Sequence, residues 1–443
     1  MKITPTQRAA LVVFVVTFAV YVFPFAYDIF YKPFFTWTAA QDIASTSVLP
    51  IAILERGDFA LDQFRDFYKG FQNTYFVAEV NGKLISRSPV VAAVLAIPFY
   101  GLPLGTGWMT HPPHAWLVYP WSGFLIAKLA AAFITALAVL MFFFCVRELA
   151  DARTSAALAL VFALGTSAFS TASQALWQQT PSLLFQIIGI WFLLRGRRKG
   201  AYAVAPAAFF FSAATASRVN DGLAAMLFTA FVLLKYRAAF LRWVLWAIPP
   251  ALFFFSYNAI YNGSPLVFGY QDGILQYTVA PRLDALLGLF ISPSRGLFVY
   301  SPFLVFAIPG LWLAWRDRDR LFYVFCTLAS AATILVLILW EYWDGGWGYG
   351  ARMLTDVLPY LMLLLIPIFA QLQGLSRLTF WGFAVYAAVL QAFGLWDYGV
   401  RWHWHWANYQ YDVWNVPESE PLFYLKQYVA MAQHFLARFA RRL

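Results

Sequence analysis

One carboxylate in this sequence stands where it could act as a base. Asp42 lies in Gln41-Asp42-Ile43-Ala44-Ser45, at the start of a short amphipathic stretch that follows an apolar segment. A carboxylate held at the boundary between water and an apolar phase can take a proton from a hydroxyl group. The same pattern also suits a helix N-cap. Asp42 is therefore the candidate general base, with N-capping as the alternative interpretation.

Four arginines flank apolar segments in contexts that suit the binding of an anion. They are Arg87 in Ser86-Arg87-Ser88-Pro89, Arg218 in Ala216-Ser217-Arg218, Arg295 in Ser292-Pro293-Ser294-Arg295, and Arg352 in Gly348-Tyr349-Gly350-Ala351-Arg352. A guanidinium group can fork onto two phosphate oxygens. Turns that open helices add free backbone N–H groups. We predict that these arginines bind a phosphate, with anchoring to lipid headgroups or snorkelling as the alternative.

Further carboxylates and aromatic rings are predicted to contact a sugar or an acceptor. These are Asp58, Glu341, Asp344, Trp347 and Tyr349. The chain contains no P-loop, no dinucleotide-binding fingerprint and no zinc-protease motif. His403 and His405 have no third ligand nearby in the sequence, so an aromatic belt at a membrane interface explains them better than a metal site. We predict neither a metal nor a cofactor.

The composition indicates what positions these residues. Of 443 residues, 62% are hydrophobic and 12% are charged, whereas soluble domains have roughly 45–50% and 25%. Continuous apolar runs such as 130–146 and 328–340 favour helices over the alternating strands of an outer-membrane barrel. Cys145 and Cys326 both lie in apolar segments, which argues against a disulfide framework. The sequence predicts an all-α, polytopic integral membrane protein.

The distribution of positive charge predicts the topology. The net charge of +10 arises largely in short loops, which is typical of cytoplasmic loops rather than of a nucleic-acid-binding surface, so no nucleic-acid partner is expected. The loops contain Arg147 and Arg153; Arg195, Arg197, Arg198 and Lys199; Lys235, Arg237 and Arg242; Arg316, Arg318 and Arg320; and Arg377. With a cytoplasmic N-terminus, they predict about eleven membrane spans. The intervening hairpins are 154–174 with 180–194, 201–217 with 221–234, 243–260 with 297–315, and 321–340 with 353–372.

We predict one transmembrane domain, residues 1–396, followed by a non-cytoplasmic tail, residues 397–443. Within the domain, residues 28–120 form a large non-cytoplasmic region with outward-facing juxtamembrane helices. One of these, 90–104, is apolar but short and interrupted by prolines, so we expect it to be half embedded. The tail is rich in aromatic residues and ends in an amphipathic segment, 422–443, which is expected to lie on the membrane rather than cross it as a twelfth span.

The order of these features resembles a known family. A first apolar segment, then Asp42, then Gly57-Asp58, then Arg87-Ser88-Pro89 opening an apolar helix, is similar to the lipid-carrier-dependent glycosyltransferases of the GT-C superfamily. The resemblance is to family 39, which includes protein O-mannosyltransferases and the lipid A aminoarabinose transferases. In that family a catalytic aspartate starts a juxtamembrane helix that ends in Gly-Asp, and Lys-Pro-Pro stands in place of Arg87-Ser88-Pro89.

The resemblance implies a GT-C-like fold and an inverting glycosyltransferase. It implies transfer of a sugar from a polyprenyl-phosphate-sugar donor to a hydroxyl of a glycolipid, polysaccharide or other envelope glycan. Asp42 takes the place of the catalytic aspartate and Arg87 that of the basic residue in the second motif. The expected location is a bacterial inner membrane, with the active site on the outer face. Two alternatives stay open: a flippase or transporter of a lipid-linked saccharide, and a polymerase or ligase that uses a lipid-diphosphate donor.

Overall fold

Helices dominate the computed structural model of the protein, which describes residues 4–30, 41–71, 74–110, 119–267, 269, 277–278, 282–395, 400–406 and 411–440. The α-helices are α1 (Pro5–Phe30), α2 (Ala44–Arg56), α3 (Arg65–Lys69), α4 (Val91–Gly105), α5 (Ser122–Arg147), α6 (Ala152–Gly165), α7 (Gln179–Lys199), α8 (Ala207–Ser217), α9 (Gly222–Lys235), α10 (Phe240–Tyr261), α11 (Leu283–Ile291), α12 (Leu297–Tyr300), α13 (Ala307–Ala314), α14 (Arg320–Leu339), α15 (Leu358–Leu364), α16 (Ile366–Phe369), α17 (Gly374–Phe393), α18 (Val400–His405) and α19 (Glu420–Ala440). Two short strands, β1 (Val77–Val80) and β2 (Lys83–Ser86), form a hairpin.

Within the described residues, four helices are long and apolar enough to cross a membrane. They are Pro5–Phe30, Ser122–Arg147, Arg237–Tyr261 and Arg320–Leu339. These are the features of a helical membrane protein, as predicted, whereas the number of about eleven spans stays a prediction. Prolines divide some of the other expected spans. The segment 353–372 holds a 3-10 turn, Arg352–Val357, and then α15 and α16, each with a proline in its first turn.

Helix α7 separates two groups of polar residues. At its start, the guanidinium of Arg352 lies 4.8 Å from the ring centre of Trp177. At its end, Arg197 forms an ion pair of 2.7 Å with Asp319 and donates to the carbonyl oxygen of Glu148 at 2.8 Å. The 21 residues of α7 span about 30 Å, close to the thickness of a bilayer's hydrocarbon core. Three of the loops predicted to be cytoplasmic therefore meet at one end of α7, and Arg352 lies at the other.

Helices α2, α4 and α5 meet at a contact that requires glycine. The hydroxyl of Tyr100 on α4 lies 2.8 Å from the carbonyl oxygen of Ser47 and 2.6 Å from that of Gly123. A Cβ atom at position 123 would lie 2.8 Å from the Ser47 carbonyl oxygen, which is closer than packed atoms approach. The helix expected at 90–104 is thus present as α4, and it holds α2 against the long helix α5. Its half-embedded position stays a prediction.

The β1–β2 hairpin departs from the all-α prediction. Val77 pairs with Ser86, and Val80 pairs with Lys83. Asn81 and Gly82 between them have φ angles of 52° and 79°. Two successive positive φ values define the type I′ turn that Asn-Gly favours, so this dipeptide is the sequence signal for the hairpin.

The tail helix expected at 422–443 is present as α19. The side chains of Leu425 and Val429 are about half exposed, which is typical of an amphipathic helix with an uncovered apolar face. Its placement on a membrane stays a prediction. The predicted boundary at 396–397 lies outside the described residues.

Candidate functional site

Asp42 lies in a single 3-10 turn, Gln41–Ile43, that leads into α2. Its Oδ2 atom is 3.3 Å from Nη1 and 3.4 Å from Nη2 of Arg352. The hydroxyl of Tyr75 donates a hydrogen bond to Oδ1. The N-cap of α2 is Ile43 and has no side-chain capping bond, so Asp42 does not cap this helix. The carboxylate is instead held from both sides and keeps 26% of its side-chain surface exposed.

A Gly-rich turn, residues 343–352, positions Arg352. The Nε atom of Arg352 donates to the carbonyl oxygen of Gly345 at 3.0 Å, and Nη2 donates to the same oxygen. A Cβ atom on Gly348 would lie 2.4 Å from Nε, so the turn wraps the guanidinium too closely for a side chain there. The indole of Trp177 covers one face of the cation. Nη1 and Nη2 also contact Asp42.

The hairpin brings the backbone around Arg87 close to that of Asp42. Ser88 donates from Oγ to the backbone carbonyl oxygen of Asp42 at 3.0 Å, and Ser86 donates from Oγ to Oγ of Ser45 at 2.8 Å. Arg87 stands between these two serines and is half buried. The chain therefore brings Asp42, Arg87 and Arg352 into one region, although Asp42 and Arg352 are 310 positions apart.

Arg218 has an internal carboxylate partner that the sequence analysis did not assign. It forms an ion pair with Asp356, and its side chain is 8% exposed. Ser182 Oγ lies 3.1 Å from Oδ1 of Asp356 and 2.6 Å from Oδ2 of Asp221. Asp356 lies 138 positions from Arg218, so no local pattern in the sequence signals this contact. The phosphate-binding role of Arg218 stays a prediction, and any phosphate would have to compete with Asp356.

Arg295 is enclosed, which does not fit its predicted role as a phosphate ligand. Its side chain is 2% exposed and forms an ion pair of 2.7 Å with Glu420, whose side chain is fully buried. The ring of Trp402 covers the guanidinium at 5.0 Å. A phosphate could reach Arg295 only if the tail moved away. Sequence analysis missed Glu420 because a carboxylate 125 positions away gives no local signal.

The residues predicted to contact a sugar differ in their accessibility. Trp347 is 39% exposed and stacks on His403, and Asp344 accepts a hydrogen bond from Tyr411. Tyr349 is fully buried and donates to the carbonyl oxygen of Leu390 at 2.6 Å. Its ring has no open face, so a stacking role for Tyr349 does not fit this structure. Glu341 is exposed.

Asp58 joins the end of α2 to the hairpin and to α10. Its carboxylate accepts hydrogen bonds from Tyr261 at 2.6 Å, Lys83 at 3.0 Å and the backbone N–H of Ala60 at 3.3 Å. The hydrogen bond from Tyr261 and those from Lys83 and Ala60 lower the pKa of Asp58 below its usual value. Gly57 ends α2 in the left-handed conformation, with φ +65°, which turns the chain towards these partners. These contacts give Asp58 a structural role, and its contact with a sugar or an acceptor stays a prediction.

Stability should therefore depend on the ionisation of Asp58. Because its pKa is lower in the folded protein, the ionised group stabilises the fold above the unfolded pKa of about 4, and this contribution is lost as the pH falls through the folded value. We expect Asp58→Asn to lower the melting temperature near pH 7, and the two melting temperatures to converge at acid pH. Glu79→Gln, at a carboxylate of the β1–β2 hairpin whose side chain is 62% exposed, is the control. A difference that stays constant with pH would contradict this account.

No metal site is evident in the part of the chain that the structure describes, because it contains no cluster of three or more His, Cys, Asp or Glu side chains. No protein-family model matches the chain, and no curated protein matches it. The fold and the site together define a helical membrane protein with a carboxylate–arginine pair at one end of α7. Tyr75 and Trp177 contact this pair and were not among the residues predicted for the site.

Proposed function

We propose that this protein is an inverting glycosyltransferase that moves a sugar from a polyprenyl-phosphate-sugar donor to a hydroxyl acceptor outside a bacterial inner membrane. The observation that carries the proposal is the contact between Asp42 and Arg352. A carboxylate can serve as base towards the acceptor, and a guanidinium can bind the phosphate that leaves. Their adjacency supplies both functions within the reach of one donor headgroup.

The proposed reaction follows from these two groups. The acceptor oxygen forms a bond to the anomeric carbon while Asp42 takes the hydroxyl proton. The bond between the anomeric carbon and the phosphate oxygen breaks on the opposite face, and its electron pair leaves with the lipid phosphate. The configuration at the anomeric carbon is therefore inverted. Arg352 stabilises the negative charge that develops on the phosphate, and Arg87 is the second cation near it.

The Asp42–Arg352 ion pair also sets the order of events. In the structure, the guanidinium of Arg352 contacts Oδ2 of Asp42. A bound phosphate would replace this carboxylate as the partner of Arg352 and release Asp42 to accept a proton. The contacts of Arg352 with Gly345 and Trp177 hold the cation in place during this exchange. Little reorganisation is then needed in the transition state.

Arg352 is expected to contribute to the rate more than to folding. Arg352→Met should lower kcat by about 10²–10³-fold, the usual effect of removing one donor that stabilises a developing charge. Arg352→Lys should recover part of this loss, because it restores the charge but not the forked geometry. Arg56→Met, at an exposed arginine that ends α2, is the matched control. Equal activity of Arg352→Met and Arg56→Met would contradict the role of Arg352.

A transporter of a lipid-linked saccharide is the second candidate, and one observation favours it. Arg218, Asp356 and Asp221 form a buried charged cluster among the apolar helices. Ionisable groups in such positions often mark transport pathways in membrane proteins. The cluster is linked by Ser182 and by its own ion pair, which equally suits a structural role.

The two candidates differ in their product. Purified protein in sealed vesicles would receive a polyprenyl-monophosphate-sugar labelled in the sugar, together with acceptor lipids from a bacterial membrane extract. A transferase yields a new glycoside and free polyprenyl phosphate. A transporter yields unchanged donor in the opposite leaflet. Recovery of unchanged donor alone, in the second leaflet, would refute the glycosyltransferase proposal.

A further inference from the structure

A buried ion pair between Arg295 and Glu420 connects the tail to the Gly-rich turn. One oxygen of Glu420, Oε2, accepts three hydrogen bonds: from Nη1 of Arg295 at 2.7 Å, from the hydroxyl of Tyr300 at 2.9 Å and from the backbone N–H of Gly350 at 2.8 Å. The two charged side chains are 2% and 0% exposed. Such enclosure is unfavourable unless several hydrogen bonds compensate it. Here they join three separate parts of the chain.

The same ion pair holds the turn at a second point. Nη2 of Arg295 lies 3.3 Å from the carbonyl oxygen of Gly346. The neighbouring carbonyl, that of Gly345, accepts from Arg352. Gly350, which donates to Glu420, is two residues before Arg352. Arg295 thus holds the turn at Gly346 and Glu420 holds it at Gly350, and the geometry of the turn sets the position of Arg352.

The turn needs external contacts because its own sequence does not define one conformation. Gly345, Gly346 and Gly350 have φ angles of +79°, +56° and +59°. Glycine reaches these values freely but also reaches many others, so a Gly-rich segment loses much conformational entropy when it is ordered. The fixed position of Arg352 opposite Asp42 therefore requires contacts from outside the turn.

We propose that Glu420 and Arg295 are positioning residues that hold Arg352 opposite Asp42. This inference rests on the proposed glycosyltransferase function. The tail thus stabilises the geometry of the active site through Glu420, which does not itself contact the substrate. Additional contacts strengthen the connection: Tyr411 donates to Asp344, and the backbone N–H of Glu420 donates to Oγ of Ser294 at 3.1 Å.

The test combines a structural and a kinetic measurement on the full-length protein in detergent. Glu420→Gln keeps an acceptor oxygen and the size of the side chain but removes the charge. Hydrogen–deuterium exchange should become faster in residues 343–352 of this variant, because the charge-assisted bond to the Gly350 N–H is weakened. Glu418→Gln is the matched control, because Glu418 lies in the same segment with its side chain 38% exposed.

The kinetic measurement separates positioning from general destabilisation. Glu420→Gln should lower kcat for transfer by about 10²-fold, as a small displacement of a catalytic group does, with little change in the KM for the acceptor. In an Arg352→Met background, Glu420→Gln should have little further effect, because both changes act through the same guanidinium. Tyr300→Phe removes one donor to Glu420 without a change of charge and serves if Glu420→Gln does not fold.

The outcomes distinguish this inference from the proposed function. Unchanged exchange in the turn, or faster exchange with full transfer activity, would overturn the positioning role. The positioning role would also be overturned if the effects of Glu420→Gln and Arg352→Met on kcat were fully additive in the double variant. Faster exchange in Glu420→Gln combined with no transfer by the wild-type protein from any donor would support the fastening of the turn and refute the glycosyltransferase. Both the positioning role and the glycosyltransferase would be supported by one further result. In it, Glu420→Gln speeds exchange in the turn and lowers kcat in the wild-type background but not in the Arg352→Met background.

Discussion

Asp42→Asn is expected to lower the rate of sugar transfer by about 10²–10⁴-fold, the usual contribution of a positioned general base. Asparagine has nearly the same size as aspartate and can still accept a hydrogen bond from Tyr75. Its amide cannot take the acceptor's proton. Because Asp42 does not cap α2, the variant should fold. The measurement is kcat with a saturating monophosphate donor.

A matched control shows whether the effect belongs to this carboxylate. Asp66→Asn changes a carboxylate in the same region whose side chain is 93% exposed and whose partner is Lys69. It should keep activity close to that of the wild-type protein. In an active wild-type background, Asp42→Asn with activity similar to that of Asp66→Asn would remove Asp42 from the mechanism.

The second large effect concerns stability and the contact between α1 and α5. Lys128 Nζ lies 3.1 Å from Oδ2 of Asp28, and the two side chains are 5% and 9% exposed. Lys128→Met leaves the Asp28 carboxylate buried without this ammonium group, so we expect the free energy of unfolding to fall by about 3–5 kcal/mol. Unfolding in mixed detergent measures this change.

The double variant tests the explanation. Asp28→Leu with Lys128→Met replaces both charges by apolar groups and should be more stable than Lys128→Met alone. Lys69→Met, at an exposed ion pair with Asp66, should change stability by no more than about 1 kcal/mol. If the double variant lost as much stability as Asp28→Leu and Lys128→Met lose together, the two charges would not stabilise each other.

Lys128 also illustrates what the sequence could not show. Lys128 stands inside an apolar segment, about two helical turns from its outer end at Trp121, so the sequence predicts that its side chain snorkels to the membrane surface. The structure instead pairs it with Asp28, 100 positions away, because α1 packs on α5. Local pattern predicts which segments are helical and apolar, but helix packing decides which charges meet.

The candidate site shows the same division. Asp42 and Arg87 could be selected from sequence because both stand at the start of apolar helices. Arg295 was selected for the same reason, yet the structure encloses it against Glu420. The Gly-rich turn could be recognised in the sequence, but the sequence did not indicate which of its side chains are exposed to solvent. Trp347 is accessible and Tyr349 is buried, although they are two residues apart. Tyr349 packs on Tyr300 and bonds to Leu390 of α17, whereas Trp347 stacks on His403, and no periodicity encodes these contacts.

The most direct measurement compares the wild-type protein with Asp42→Asn on two series of synthetic donors, polyprenyl-monophosphate sugars and the matching diphosphates, with acceptors from a bacterial lipid extract. We predict a new glycoside of inverted configuration from at least one monophosphate donor, and loss of that product in Asp42→Asn. Transfer from diphosphate donors alone would assign the protein to the polymerases or ligases. Monophosphate transfer that persists in Asp42→Asn would contradict the role given to the Asp42–Arg352 pair.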